Sequence, residues 1–389
     1  MITREEIRQL AQVESAECCA ISFYFQPQTP QNRSHREEAI LVKDLVRECI
    51  RKAERNGNQL ALREDLARIL QIAEALHGNH SRGKAIFACR DRGIWQELDV
   101  PPRLGASRII LNSRFHLRPL VDAFSGLPRT CVALVNRKKA RIFELNGGEI
   151  SQKPDLELGP SPHVPRSDGF QGYEAGHRER HVENQVMLHY KMFTESLLML
   201  HNHEKYEALL IGCHDESWPE IEPHLNGSLK QRLRGRILVD PMVATAEEVR
   251  EQANRILEES QQTEQRNLVH EAVGEAQRNA RGAVGLRHVL NALERQEVQM
   301  LMVDRNFTAE AVECIHCRHL DTRMVKACAV CGHETREISD ISDALVDLAL
   351  RNGAEIRFVT NDPELEKAGR VGALLRFRAD QNTAEKMAV

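Results

Sequence analysis

The first informative pattern is a short apolar run, Ile21-Ser22-Phe23-Tyr24-Phe25, closed by Pro27 and Pro30; it predicts a strand and then a loop. From about Ser34 to Arg55 the apolar positions change to helical spacing, with Ile40, Leu41, Leu45, Val46, Cys49 and Ile50 on one face. Asn56-Gly57-Asn58 is a turn signal, and a second helix is expected from about Leu62 to Leu76, making a helical hairpin. Ala85–Cys89 and Arg108–Leu111 read as strands.

After Gly126-Leu127-Pro128 the pattern becomes a meander of Cys131–Val135, Ala140–Leu145 and Glu149–Ile150, with Gly147-Gly148 as a hairpin turn. Residues 154–172 hold four prolines and three glycines, which excludes a regular element there. A long helix is expected from His177 to His203, then strands at Leu209–Cys213 and Ile237–Val239. The last segment predicts a charged helix from Ala246 to Glu275 and a helix near Val284–Glu294. A strand at Met300–Val303, a helix near Ser342–Arg351 and a strand at Glu355–Val359 follow. Strands alternating with helices in this way point to an α/β sandwich.

Composition narrows the function classes. Lys+Arg 53 against Asp+Glu 57 leaves a net charge of −4, so no global cationic field drives nucleic-acid binding, and any RNA contact is local or reads shape. Aromatics at 4% argue against base-stacking platforms. The charged start, Met1-Ile2-Thr3-Arg4-Glu5-Glu6, is unlike a signal peptide, and no apolar run approaches the ~18–20 residues that span a bilayer. Cys18, Cys19, Cys49, Cys89, Cys131 and Cys213 are scattered through apolar stretches like small buried hydrophobes, so a reduced, cytoplasmic protein without a membrane partner is expected.

The other four cysteines carry chemistry. Cys314-x-x-Cys317 and Cys328-x-x-Cys331, followed by Gly332, form two knuckles whose thiolates can surround one ion at about 2.3 Å, the Zn–S distance of a closed, structural S₄ site. Two further motifs fail on context. Gly78-Asn79-His80-Ser81-Arg82-Gly83-Lys84-Ala85 matches a phosphate-binding loop except that Ala85 replaces the Mg²⁺-holding hydroxyl, and it follows a helix instead of a strand. His177-Arg178-Glu179-Arg180-His181 spaces two histidines by four, but Arg178 stands where a zincin needs Glu. Asn136-Arg137-Lys138-Lys139-Ala140-Arg141 and Lys230-Gln231-Arg232-Leu233-Arg234-Gly235-Arg236 are basic enough to touch phosphate, and equally fit solvated faces. Arg166-Ser167-Asp168-Gly169-Phe170-Gln171-Gly172 is a glycine-containing loop that presents an amide just ahead of the long helix.

In this order of parts the chain resembles the archaeo-eukaryotic class-1 release factor and Pelota family, in its bacterial branch, over nearly its whole length. The resemblance is carried by Ala283–Glu294 with Val298–Val303, by Gly353–Thr360 and Gly372–Phe377, by the position of the CxxC pairs, and by Val132–Leu145 with the loop and Arg178, Arg180 and Glu183. It implies a three-domain architecture: residues 1–126 with the hairpin on the decoding side, 127–241 with the loop, and a C-terminal α/β sandwich at 242–389 carrying a zinc mini-domain at 313–334. Two positions depart from the family. Gly169-Phe170-Gln171 replaces Gly-Gly-Gln, and Phe170 closes off the φ > 0 conformations open to glycine. The hairpin tip, Asn56-Gly57-Asn58, lacks a stop-codon motif.

The expectation is therefore a ribosome-binding factor that occupies the A site without a stop codon, in hibernation or rescue, similar to factors of the Balon type. Asn56, Gly57 and Asn58 would meet the small-subunit decoding centre. Arg166, Gly169, Phe170, Gln171, Gly172 and Arg178 would meet 23S rRNA near the peptidyl transferase centre. Delivery by a GTPase such as elongation factor Tu is left open. The alternative is a peptidyl-tRNA hydrolase with Gln171 as its catalytic residue.

Overall fold

The structure is a computed structural model that describes residues 4–15, 19–26, 36–54, 59–75, 83–100, 104, 106–125, 128–137, 139–147, 149–154 and 175–377. It divides into two compact units: residues 1–125 together with 265–389, and residues 126–264.

The first part of the chain runs α1 (Arg4–Gln12), β1 (Ala20–Phe25), α2 (Arg36–Glu54), α3 (Gln59–Ala75), β2 (Gly83–Cys89), β3 (Ile94–Val100), β4 (Arg108–Asn112) and α4 (Arg118–Phe124). The strands form an antiparallel sheet in the order β3-β2-β1-β4. Strand β1 is buried throughout, which is why it reads as an unbroken apolar run. Ile21, Phe23 and Phe25 face Val42, Val46, Leu66 and Ile69 of the hairpin helices, and Ala20 and Tyr24 join the core on the opposite face.

The middle unit runs β5 (Thr130–Val135), β6 (Ala140–Asn146), β7 (Glu149–Gln152), α5 (Ala175–Glu204), β8 (Ala208–Gly212), α6 (Trp218–Ile221), α7 (Gly227–Arg232) and β9 (Leu233–Ile237), followed by α8 (Ala246–Gln277). Its sheet has the order β7-β6-β5-β8-β9, antiparallel in the meander and parallel from β5 through β8 to β9. Val186, Tyr190, Phe193 and Leu197 of α5 cover one face, and Val249, Ala253 and Leu257 of α8 cover the other. Expected at Ile237–Val239, the last strand lies instead at Leu233–Ile237. As an edge strand it need not be apolar, and its arginines hid it.

The last part continues with β10 (Gly282–Val284), α9 (Leu286–Glu294), β11 (Val298–Asp304), β12 (Ala311–Cys314), β13 (Leu320–Asp321), β14 (Thr335–Ile338), α10 (Ser342–Arg351), β15 (Glu355–Val359), α11 (Pro363–Lys367) and β16 (Val371–Leu375). Its main sheet is β10-β16-β11-β15, with β11 and β15 parallel. The segment expected to begin a helix at Val284 is a strand there, and the helix starts after Gly285 at φ +80°. Gly282 lies so close beneath α8 that a Cβ would stand 2.3 Å from the Ala272 carbonyl oxygen, so only glycine fits.

A charge network around the buried Glu144 carboxylate pins the start of β5 in the middle unit. Glu144 accepts from Arg129 Nε at 2.6 Å and pairs with Lys153 Nζ at 2.6 Å, while Arg129 also reaches Glu204 Oε2 at 2.6 Å. Burial pushes the Glu144 carboxyl up, but the two cations outweigh it and hold the group below its ordinary value. Its stabilisation is then complete above the unfolded pKa and is lost as pH falls through the lowered one. Glu144→Gln is expected to cost about 2 kcal/mol at pH 7, a charged hydrogen bond's worth. In denaturant melts the gap from wild type should close as pH drops below about 4; a gap constant with pH would refute the assignment.

Candidate functional site

Strands β11 and β15 are parallel neighbours, so the chain must cross over between them, and α10 makes that crossover. A three-stranded sheet in the order β13-β12-β14 is inserted on the way from β11 to α10. All four CxxC cysteines are on this insertion.

Its two knuckles repeat each other. In the first, Arg318 N donates to Cys314 O at 3.1 Å and Cys314 N donates to His319 O at 2.9 Å. In the second, Gly332 N donates to Cys328 O at 3.0 Å and Cys328 N to His333 O at 2.8 Å. The residue after each second cysteine is left-handed, Arg318 at φ 62° and Gly332 at φ 75°. The tight turns aim amides at sulfur: His316 N and Cys317 N stand 3.4 and 3.5 Å from Cys314 Sγ, and Val330 N stands 3.4 Å from Cys328 Sγ.

The four Sγ atoms all lie within 4.8 Å of one another. Cys314–Cys331, Cys317–Cys331 and Cys317–Cys328 are separated by 3.4, 3.3 and 3.6 Å, far beyond the ~2.05 Å of a disulfide. A tetrahedron with ~2.3 Å metal–sulfur bonds has edges of about 3.8 Å, close to this spacing. Burial pushes the Cys314 thiol up, but the amides of Cys317 and His316 outweigh it and bring it down to about 6, so the thiolate forms readily. The residues present fit a metal ion, and four sulfurs leave it no open position.

The surroundings were invisible in the cysteine spacing. Glu313, buried beside the first knuckle, accepts from Arg336 Nε at 2.8 Å and pairs with Arg318 at 3.4 Å. Arg318 also donates to Ser113 Oγ at 3.3 Å. His316 and His333 stack with centroids 4.1 Å apart. Elsewhere Cys19, Cys49, Cys89, Cys131 and Cys213 are buried, and burial pushes Cys89 and Cys131 up to about 12.

The expected ribosome contacts fall elsewhere. Asn56, Gly57, Asn58, Arg166, Gly169, Phe170, Gln171 and Gly172 lie outside the described residues, and Arg178 is on α5 with its side chain outside them. Arg137 pairs with Glu220 at 3.8 Å, and Arg141 donates to Ala244 O at 2.8 Å, so both arginines of the first basic cluster are engaged. Among the described residues no helix is long and apolar enough to cross a membrane.

Residues 116–258 match the family described as Bacterial archaeo-eukaryotic release factor family 10. Peptide chain release factor subunit 1 of Archaeoglobus fulgidus is 24% identical over 314 residues, covering 75% of this chain and 76% of its own length. Two solved structures are also similar: the Pelota of Archaeoglobus fulgidus, 12% identical over 97% of this chain and 93% of that one at a TM-score of 0.36, and a ribosome-bound archaeal Pelota with ABCE1, 15% identical over 76% and 78% at 0.42. The middle of the chain is thus similar to a bacterial archaeo-eukaryotic release factor family, and three quarters of the chain is similar to an archaeal release factor subunit.

Proposed function

We propose that the protein binds the ribosomal A site independently of a stop codon, as a hibernation or rescue factor, and that its Cys₄ site holds a structural zinc ion. The observation that carries the reading is the family match over residues 116–258, which contains Gly169-Phe170-Gln171 in place of Gly-Gly-Gln. In the sequence Gln171 stands just before Ala175, where α5 begins, and the apolar face of α5 is buried on a five-stranded sheet. In this reading residues 1–126 with Asn56, Gly57 and Asn58 face the decoding centre. Residues 127–241 carry Arg166, Gly169, Phe170, Gln171, Gly172 and Arg178 to 23S rRNA, and 242–389 form the zinc-bearing sandwich. The protein works in the cytoplasm, and delivery by a GTPase such as elongation factor Tu belongs to the same picture. Zinc is favoured over a redox role because all four sulfurs converge on one point, and the closed set leaves it no catalytic position.

The protein is expected to sediment with ribosomes in competition with A-site tRNA, whatever codon is present; binding that requires a stop codon would sink the proposal. A second reading, peptidyl-tRNA hydrolysis, is favoured by the retained Gln171, whose amide offers both a donor and an acceptor. With Phe170 beside it, release of peptide from ribosome-bound peptidyl-tRNA should be slow, and Gln171→Ala should change binding more than turnover. Fast release abolished by Gln171→Ala would establish the hydrolase instead. Purified, reduced protein should carry one zinc per chain by elemental analysis. Cys328→Ser should lose it and raise hydrogen exchange across residues 311–338 while β11 and β15 stay protected. A wild-type protein with far less than one zinc would contradict this assignment.

A further inference from the structure

The second basic cluster of the sequence is built differently from the first. Strand β9 is the edge of the middle sheet, and its register against β8 runs Leu209 to Leu233 and then Leu210 to Gly235. Arg234 is thus the extra residue of a β-bulge, a device that re-aims a side chain away from the ladder. Leu233 before it packs against the α5 core, and Gly235 after it lets Ile256 of α8 close in, with 2.5 Å left for a Cβ. Arg234 is exposed. Lys230 and Arg232, from the last turn of α7, are exposed beside it, and Lys205, left-handed at φ 55° just past α5, stands exposed nearby. His201 locates Lys205: burial lowers this imidazole's affinity for a proton, and the charges of Arg232 and Lys205 lower it further, so both cations act on one ring. No ion pair joins Lys205, Lys230, Arg232 or Arg234 to an acid among the described residues. Arg236, by contrast, is occupied, paired with Asp215 at 2.5 Å and lying over the Trp218 ring at 5.0 Å.

We propose that the corner formed by α7, the β9 bulge and the end of α5 binds the sugar–phosphate backbone of RNA through Lys205, Lys230, Arg232 and Arg234. The identity of that RNA rests on the ribosome-binding reading above. A charge that merely guards an edge strand need not be joined by cations from two helices. Four uncompensated positive charges on one corner repel one another and are worth keeping only against a dense array of anions. An acidic protein partner is a poorer fit. A stable protein interface needs a desolvated apolar centre, and Leu233, the apolar side chain within Lys230–Arg234, is turned into the core.

The test is fluorescence anisotropy of a fluorescein-labelled single-stranded RNA 20-mer with the full chain, over a salt series. The triple variant Lys230→Glu, Arg232→Glu, Arg234→Glu should weaken binding at least about tenfold near 100 mM salt. It should also flatten the slope of log K against log salt by about 2, from three phosphate contacts at ~0.7 each. The control Arg255→Glu, Arg266→Glu, Arg287→Glu carries the same charge change elsewhere and should alter neither by more than about twofold. If the glutamate variant misfolds, the corresponding glutamine variant should give a slope change of similar size. An unchanged affinity and slope, or an equal loss in the control, would overturn the proposal. Ribosome sedimentation run in parallel separates the two readings. Wild-type protein that binds RNA through the corner but does not pellet with ribosomes would defeat the ribosome reading alone. Pelleting lost in the variant with RNA binding intact would assign the corner to an acidic protein and overturn the RNA proposal.

Discussion

Asp347 carries a carboxylate into the seam between α10 and the first part of the chain, and two guanidinium groups make that placement tenable. Arg114 Nη1 stands 2.9 Å away and Arg351 Nε 3.7 Å away. Burial still leaves the carboxyl above its ordinary value, so the seam is held by geometry more than by a surplus of electrostatic stabilisation. Neighbouring arginines satisfy main-chain oxygens across the same seam. Arg8 donates to Gly353 O at 3.1 Å, Arg351 to Ala11 O at 2.9 Å and Arg118 to Arg305 O at 2.8 Å. Helix α10 therefore buries one face on its own sheet and the other against α1 and α4, and the apolar core runs through both.

The cysteine-bearing insertion is attached to this same helix, because it interrupts the crossover that α10 completes. Its first knuckle is not free to be optimal locally. Arg318 adopts a left-handed conformation that costs a side chain about 1 kcal/mol, where the matching knuckle uses Gly332. What Arg318 gains is reach, to Glu313 within the insertion and to Ser113 and Glu14 in the first part of the chain. The two knuckles thus divide the work: one turns cheaply, and the other accepts strain to fasten the insertion down. Glu313 holds both sides together by serving Arg318 and Arg336 at once.

The sequence was most legible where a local rule suffices. Period-two and period-3.6 patterns located β1, the hairpin helices, the meander, α5 and α8, and CxxC spacing located the four converging cysteines. It was least legible where the determinant is distant. Ile94-Trp95-Gln96-Glu97-Leu98-Asp99-Val100 went unread because an edge strand shows water one face and so mixes charges with apolar residues. Strand β9 was misplaced by a few residues for the same reason. The joining of the first and last parts depends on pairs such as Arg114 with Asp347, separated by most of the chain, and nothing near either residue announces the other.

Net charge proved a poor guide to local chemistry. A balance of −4 describes a chain in which some cations are already paired, as Arg129, Arg336 and Arg370 are, and those contribute little to an approaching ligand. What a partner meets is the remainder, and screening decides how far that remainder reaches. With a Debye length of about 8–10 Å, acids elsewhere on the surface neither cancel the four cations at the α7–β9 corner nor lend them a long-range field. Such a corner acts on an RNA backbone only at short range, within a few ångströms of its phosphates. Near-neutrality overall together with a small unpaired patch therefore confines any attraction for a phosphate backbone to that patch.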